Sequence, residues 1–431
     1  MVGQNGRRAA IVAGCRTPFA KAGTALKDFS AVELAKLATR ELLVRSEIEP
    51  RDVDAVIFGQ VIPSVLAPNV AREVSLLPQL PRTIPALTLN RACASSSQSV
   101  TEAHALIALG HADVVIAGGT ESLSDIPILH SRRFADLLVE ASKAKTLGQR
   151  LARLARLRPR DLIPVTPAIA EPSTGETMGQ AGEKMAKENG IGREAQDRYA
   201  LRSHQLAARG TADGRLTAEI APVFVPPGFD TIVTSDNGIR PDATLEQMAK
   251  LRPVFDRRYG SVTAATASPL TDGASAMLVM SEEAAKARGY TPLAVIRSYA
   301  VAAVDPGEQL LMAPGFAVPK ALDRAGLAWK DLGLVEMHEA FASQVLSNIQ
   351  AIESDAWARE RLGRPRRLGE VNWDTLNVMG GSIAIGHPFG ATGGRITITL
   401  ANEMRRRDVQ FGLLSVCAQG GMGLAMVLER V

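Results

Sequence analysis

Residues 90–121 read NRACASSSQSVTEAHALIALGHADVVIAGGTE, and the order of events along them decides the fold. A polar loop reaches Cys93 and passes into small residues, Ala94-Ser95-Ser96-Ser97, which open a helical stretch continuing through Val100, His104 and Leu109. A strand-sized apolar run, Val114 to Ala117, follows and ends at Gly118-Gly119. Residues 377–423 repeat this order, with loop, small-residue helix, the strand Leu413 to Val416, and Cys417 ahead of the turn Gly420-Gly421. Such a repeat is the mark of an internal duplication. It carries Cys93 at one loop-to-helix junction and His387 at the other, so reactive side chains are expected to converge near a pseudo-dyad.

Outward from these two copies, further strand-sized runs at Ala9 to Ala13, Ala55 to Phe58 and Ala294 to Ile296 alternate with longer alanine-rich helical stretches. That alternation implies an α/β architecture. At 431 residues the chain exceeds the ~100 to 200 residues of one ordinary domain, so two large units, or two plus an insertion, are expected. Hydrophobic residues make up 46% but aromatic ones only 4%, so the core must be aliphatic and alanine-rich. A formal charge of +4 is too small on a chain of this size to indicate nucleic acid. Cys15, Cys93 and Cys417 lie far apart and form no CxxC pair, which argues against a disulfide framework or zinc ribbon and for no metal. A reducing, cytoplasmic setting follows as the expectation, with no room for a leader before Ala9 and no apolar run near the roughly 20 residues that cross a bilayer.

From about Asp125 to Pro253 the strand rhythm fades and proline, glycine and charge rise, as in an inserted loop domain. Within it, Ile126 to Arg160 holds nine Lys or Arg against Asp136 and Glu140, so the segment is net +7 and the remainder of the chain net −3. Leu147, Leu151 and Leu154 share one helical face from which Arg150, Arg153 and Arg156 are displaced. A basic amphipathic helix of this kind suits a membrane surface or a partner subunit. It equally suits leucines packed on the protein's own core beneath solvated arginines.

Four polar positions can carry chemistry. At a helix start the positive end of the dipole favours a thiolate, and the small neighbours of Cys93 let a bulky thioester approach; the same cysteine could be an inert core residue. His387, in Gly386-His387-Pro388 within a glycine-rich stretch, can approach a ligand closely as general base or hydrogen-bond donor. Cys417 closes the strand Leu413 to Val416, and two cysteines with a histidine suggest acid–base thiol chemistry. His338, in His338-Glu339-Ala340-Phe341 after Leu334 to Met337, could hold a water or simply close a strand. The run Gly420-Gly421-Met422-Gly423 lacks the GxGxxG spacing of a dinucleotide site.

Taken in order, six segments resemble the thiolase family over essentially the whole chain: Cys15-Arg16-Thr17-Pro18-Phe19, Asn90 to Ser96, Thr263 to Ala274, His338 to Phe341, Gly381 to Gly390, and Cys417 to Gly423. The resemblance implies a five-layered αβαβα fold of two duplicated halves with an inserted loop domain. It divides the chain into residues 1–124, a coenzyme A-binding loop domain at 125–253, a return segment at 254–283 and a second half at 284–431. It further implies that His387 takes the proton of Cys93, whose sulfur attacks the 3-keto carbon of a 3-ketoacyl-CoA, and that Cys417 protonates the departing acetyl-CoA enolate. Cys417 would then activate coenzyme A, a co-substrate rather than a resident cofactor, for attack on acyl-Cys93.

Two oxyanion sites are implied by the same resemblance, one from His387 with a water held by His338, the other from the backbone N–H groups of Cys93 and residue 419. Position 419 is glycine in many relatives but Gln419 here, where a side chain could narrow the acyl channel. His338, asparagine in many thiolases, is similar to the β-subunit branch of fatty-acid-oxidation complexes. That likeness points to degradative 3-ketoacyl-CoA thiolysis, to a hydratase/dehydrogenase α subunit as partner, and to a homodimer or homotetramer. Met178 and Ser268, with Tyr199 and Ser203-His204 on a neighbouring helix, match positions near the pantetheine arm. The alternatives are an acetoacetyl-CoA thiolase and, in another class, a non-catalytic scaffold or lipid-binding subunit of the same fold.

Overall fold

The computed structural model describes residues 6–165 and 170–431, which form two compact units, 126–170 and the remainder. The larger unit contains β1 (Ala9–Arg16), β2 (Ala20–Lys21), β3 (Ala55–Gly59), β4 (Ala86–Leu89), β5 (Val114–Glu121), β6 (Val223–Val225) and β7 (Thr231–Val233). Its later strands are β8 (Thr271–Ser281), β9 (Ala294–Ala303), β10 (Leu334–Met337), β11 (Phe411–Ala418) and β12 (Met422–Glu429). Nine of them run in the order β4-β3-β5-β8-β1-β9-β12-β11-β10, with β2 attached to β8 and β6-β7 standing apart as a hairpin.

The duplication is written in the strand directions. β3 is parallel to β5, which is antiparallel to β8, itself antiparallel to β1. In the second half β10 is parallel to β11, which is antiparallel to β12, itself antiparallel to β9. Where β3 pairs with β4, β10 has a single parallel bridge from Val335 to Leu376, just ahead of the second loop. The halves join where β1 meets β9, through Ala10–Val295 and Ile11–Ala294 alone, so two half-sheets make one continuous ladder.

Period-two alternation along the central strands builds the layers. On β5, Val114 and Ile116 face a cluster shared with the helix Ala31–Ser46, whereas Val115 and Ala117 face a cluster shared with Val100, Ala103 and Ile107 of the helix Ser95–Ala108. On β12, Leu424, Met426 and Leu428 face that same central cluster, which also holds Ile396 and Leu400 of the helix Thr392–Arg406. Ala425 and Val427 turn the other way, toward the helices Pro314–Ala325 and Ala342–Glu353. Outer helices, half-sheet, central helices, half-sheet and outer helices therefore make the five αβαβα layers, with the two reactive loops at the start of the middle one.

Of residues 125–253, only 126–170 separate as a unit, while 171–253 pack with the main body. Hydrophobic burial accounts for this, because Ala181 and Met185 share a cluster with Cys417 and Phe341, and Tyr199, Ala200 and Ala207 also lie in main-body clusters. Within the small unit, helices Arg132–Ser142 and Leu147–Leu154 are tied by Arg153 donating to the Glu140 carbonyl and by the Arg156–Glu140 ion pair. Within this unit Leu147 is 72% exposed and Leu151 59%, whereas Leu154 on the same face is partly buried.

Candidate active site

A left-handed backbone at Ala92 (φ 44°) turns the chain sharply from β4 into the helix Ser95–Ala108 and lifts Cys93 out at its N-terminus. For a residue with a side chain this conformation costs roughly 1–3 kcal/mol, and it persists because neighbouring bonds hold it. Ala92 N–H donates to Asn90 Oδ1 (2.8 Å), Arg91 N–H to Ser95 Oγ (2.8 Å), and Ser95 Oγ to the Ala92 carbonyl (2.7 Å). Small residues then let the histidine loop close on this turn. A Cβ on Gly393 would come within 2.2 Å of Ser97 Oγ, and one on Gly119 within 2.0 Å of the Gly390 carbonyl. The alanine, serine and glycine runs are therefore a packing requirement of the two central helices as much as an entry path for substrate.

That close approach places His387 Nε2 3.1 Å from Cys93 Sγ. The other ring nitrogen, Nδ1, lies 2.6 Å from Thr392 Oγ1, whose own proton goes to the Pro388 carbonyl at 3.1 Å. Thr392 must then accept from Nδ1–H, which leaves the Nε2 lone pair for the Cys93 thiol. Burial, aided by the positive charge of Arg395, pushes the His387 imidazole down to about 3, and burial pushes the Cys93 thiol up to about 12. The backbone N–H groups of Gln419 and Cys93 both bond the sulfur and favour its thiolate, but burial outweighs them. Desolvation outweighs the two N–H bonds that favour the thiolate expected at a helix start, so the resting pair is neutral thiol and neutral imidazole.

His338 follows β10, its N–H donating to the Ser415 carbonyl at 2.8 Å, and its ring stands 4.2 Å from that of His387, centroid to centroid. Its Nδ1 is 3.0 Å from Ser382 Oγ, which accepts from Arg395 Nη2 at 3.2 Å. Among the described residues Nδ1 is the acceptor within reach of the Ser382 proton, and that arrangement puts the ring proton on Nε2, a buried atom with no partner among them. Cys417 is buried at the end of β11, in an apolar cluster with Ala340, Phe341 and Met185, and burial together with the nearby Cys93 raises its thiol well above the usual range. The third cysteine, Cys15, lies in the core with its thiol on the Ala38 carbonyl and is not part of the site.

Gln419 fits without strain, because the left-handed conformations of the β11–β12 turn fall on Gly420 and Gly421. Ser268 N–H donates to the Ala340 carbonyl and His387 N–H to the Pro269 carbonyl, so the Ser268 loop lies between the two histidine segments. Met178 begins the helix Met178–Glu188 and packs on the cluster that contains Cys417. Tyr199 and Ser203 do not face a ligand, since both donate to the buried carboxylate of Glu339 at 2.9 and 2.7 Å, with Asn377 Nδ2 at 2.8 Å. His204 is likewise turned inward, accepting the Arg240 N–H on Nδ1.

Several contributors carry no local sequence signal. Glu121, buried at the end of β5, accepts the N–H groups of Val61, Ile62 and Gly390, all at 3.0 Å, and so holds the loop that bears His387. Ser382 and Thr392 bond the His338 and His387 rings, Arg395 donates to Ser382, and Glu339 accepts the N–H of Ile383 next to Ser382. One ring nitrogen of each histidine and the Cys93 sulfur all lie within 4.8 Å of one another, a juxtaposition that no spacing motif announces.

A half-buried thiol, two neutral imidazoles beside it and a second, fully buried thiol define an acyl-transfer site of the nucleophilic-cysteine class. The family model described as the thiolase N-terminal domain matches residues 9–283, and that of the thiolase C-terminal domain matches residues 290–430. A 3-ketoacyl-CoA thiolase of Yersinia enterocolitica is 49% identical over 429 residues, 100% of this chain and 98% of the relative. Human mitochondrial 3-ketoacyl-CoA thiolase, solved in complex with CoA, superposes with TM-score 0.82 at 35% identity, covering 99% of this chain and 98% of that one. The Bacillus anthracis acetyl-CoA acetyltransferase gives TM-score 0.84 at 33% identity, covering 99% of each chain. The chain belongs to the thiolase family.

Proposed function

We propose that this protein is a 3-ketoacyl-CoA thiolase, an acyltransferase that converts a 3-ketoacyl-CoA and coenzyme A into acetyl-CoA and an acyl-CoA shortened by two carbons. The observation that carries it is the 3.1 Å contact of His387 Nε2 with Cys93 Sγ, with Cys417 close enough that Cys93 adds to the burial that raises its thiol. Substrate binding brings the 3-keto carbon to Cys93 as its proton passes to His387. The C2–C3 bond breaks, the acyl group stays on sulfur, and the acetyl-CoA enolate takes a proton from Cys417, a thiol that burial keeps protonated. Cys417, now a thiolate, removes the proton of incoming coenzyme A, whose sulfur attacks acyl-Cys93 and releases the shortened product, a ping-pong sequence.

Charge on oxygen develops at two places. The free Nε2–H of His338, with His387, would stabilise the enolate directly or through a water, and the N–H groups of Cys93 and Gln419 would stabilise the tetrahedral intermediate on Cys93. Coenzyme A would pass Met178 and Ser268, on the helix and loop that flank the cysteines. Incubation with a 3-ketoacyl-CoA in the absence of coenzyme A should leave an acyl group on Cys93, detectable by mass spectrometry and discharged by added coenzyme A. No adduct would favour the non-catalytic scaffold. Thiolysis confined to acetoacetyl-CoA would favour the acetyl-transferring alternative, and full thiolysis by a Cys417→Ala variant would remove the second acid–base.

The small unit would serve as a peripheral membrane contact. Ile128, Val139, Leu147 and Leu151 are each at least half exposed and alternate with arginines, a combination suited to acyl chains beneath anionic headgroups. Flotation with anionic liposomes should weaken with salt, whereas co-purification with a hydratase/dehydrogenase subunit would assign the unit to protein contact instead. A homodimer or homotetramer is the expected assembly, since β4 ends the sheet with Leu87 half exposed, leaving an edge that a second copy could cover.

A further inference from the structure

We infer that Cys93, His338 and His387 also form a capture site for a borderline divalent cation, with Zn2+ the fitting ion, and that occupancy blocks the nucleophile. The block rests on the thiolase reading of Cys93; the binding does not.

Three donors of the right kind converge. The Cys93 sulfur and one nitrogen of each imidazole lie within 4.8 Å of one another, with Sγ and His387 Nε2 at 3.1 Å. Tetrahedral zinc, with bonds of about 2.3 Å to sulfur and about 2.0–2.1 Å to nitrogen, separates its ligand atoms by about 3.3–3.6 Å. Shifts of a few tenths of an ångström, and of no more than about 1.5 Å for the widest pair, would therefore suffice. Independent of that distance, His338 Nε2 is buried and has no partner among the described residues, while Nδ1 is taken up by Ser382, so one ring nitrogen is left over for a ligand.

Outer partners are in place as well. Metal-bound imidazoles are held by a hydrogen bond on their far nitrogen, and here Thr392 Oγ1 holds His387 Nδ1 at 2.6 Å and Ser382 Oγ holds His338 Nδ1 at 3.0 Å. For binding, the thiol proton of Cys93 leaves to solvent and the His338 ring proton moves from Nε2 to Nδ1. Ser382 Oγ then accepts from both His338 and Arg395 with its two lone pairs. Three protein ligands leave a fourth position for water, the pattern of an open rather than a closed zinc site. Arg395 opposes the cation, but Glu336 stands 3.9 Å from that guanidinium and Glu121 also faces the cysteine, so the charge around the site is mixed. The third ligand depends on His338, because the asparagine found there in many thiolases offers only a weakly ligating amide.

Titration of the metal-free full-length protein with Co2+ should give a thiolate-to-cobalt charge-transfer band that saturates at one ion per chain. It should be absent from wild-type protein whose Cys93 has been alkylated beforehand, a comparison that needs no variant to fold. His338→Asn should weaken binding at least about tenfold, and Zn2+ should slow alkylation of Cys93 at least tenfold until a chelator is added. A cobalt complex without the sulfur band, or equal affinity in H338N, overturns the site; Zn2+ bound with alkylation unslowed overturns the block. Acylation of metal-free protein by a 3-ketoacyl-CoA, followed in parallel, reports the thiolase reading separately, because its failure would leave the cobalt titration interpretable.

Discussion

Glu121 Oε2 accepts the backbone N–H of Gly390 at 3.0 Å, so the last residue of β5 anchors the loop that brings His387 to Cys93. The same carboxylate receives Val61 N–H and Ile62 N–H, and burial pushes it up to about 7. Glu121→Ala would take the acceptor from the buried N–H of Gly390 and from the partly buried N–H groups of Val61 and Ile62. An unsatisfied buried group costs about 1–3 kcal/mol, so a loss of several kcal/mol is expected in chemical denaturation, together with slower acylation of Cys93. Glu121→Gln, which keeps one carbonyl acceptor, should fall between. Equal stability of E121A and wild type would remove the anchoring role.

A pH dependence of stability follows from the same group. An acid whose folded value is raised from 4.5 to about 7 binds its proton more tightly folded than unfolded. Its contribution is therefore fully present below the unfolded value and is lost as pH rises through the folded one. Stability should decline between about pH 4.5 and 7, by at most on the order of 3 kcal/mol at 1.36 kcal/mol per unit. The decline should shrink in E121Q. Thermal melts of both proteins across that window check the sign, and a wild-type rise attributable to Glu121 would contradict it.

The neutral state of the cysteine–histidine pair predicts how Cys93 reacts with a simple electrophile. With the thiol up at about 12 and the imidazole down at about 3, the thiolate is a minor species throughout neutral pH. Alkylation by iodoacetamide should rise with pH through 9 without a plateau, whereas an ion pair would level off at low pH. His387→Ala should reduce kcat/KM for thiolysis by about 10²- to 10⁴-fold, the range of a general base.

Ser382 is a positioning residue for His338. Removing its hydroxyl frees Nδ1 and lets the ring proton leave Nε2, so Ser382→Ala should lower kcat more than it changes KM, by about tenfold or more, with the melting temperature little altered. Thr in place of Ser382 should restore part of the rate, because it keeps the hydroxyl. Equal rates in wild type and S382A would sever the link between Arg395, Ser382 and His338.

Arg16, from the first motif, lies fully buried with its guanidinium on both oxygens of Asp236 at 2.7 and 2.8 Å and 3.7 Å from Glu219. Arg16→Ala strands two buried carboxylates, and about 3–5 kcal/mol of stability should be lost. A smaller change in denaturant midpoint than that of Arg7→Ala, which removes a partly exposed ion pair with Asp113 at the other end of β1, would show that the cluster does not hold this corner of the fold.

Local pattern alone was enough for the α/β class, but it left Cys93 between a nucleophile and an inert core residue. Loop, small-residue helix, strand and turn recur at 90–121 and 377–423 because side-chain periodicity and glycine placement are local properties, and both Cys93 and His387 occupy a junction that such a pattern exposes. The resemblance to thiolases added their order and that of Cys417 and His338. Which form the pair takes at rest was decided by tertiary structure, since desolvation depends on everything packed around a group, and it reversed the helix-start argument for Cys93. Glu121, Ser382, Thr392 and Arg395 were equally invisible, being ordinary residues made functional by partners distant in sequence. The leucines of the basic helix show the same division: periodicity put Leu147, Leu151 and Leu154 on one face, but only the fold of their own unit could decide that Leu154 is partly covered while Leu147 and Leu151 are exposed.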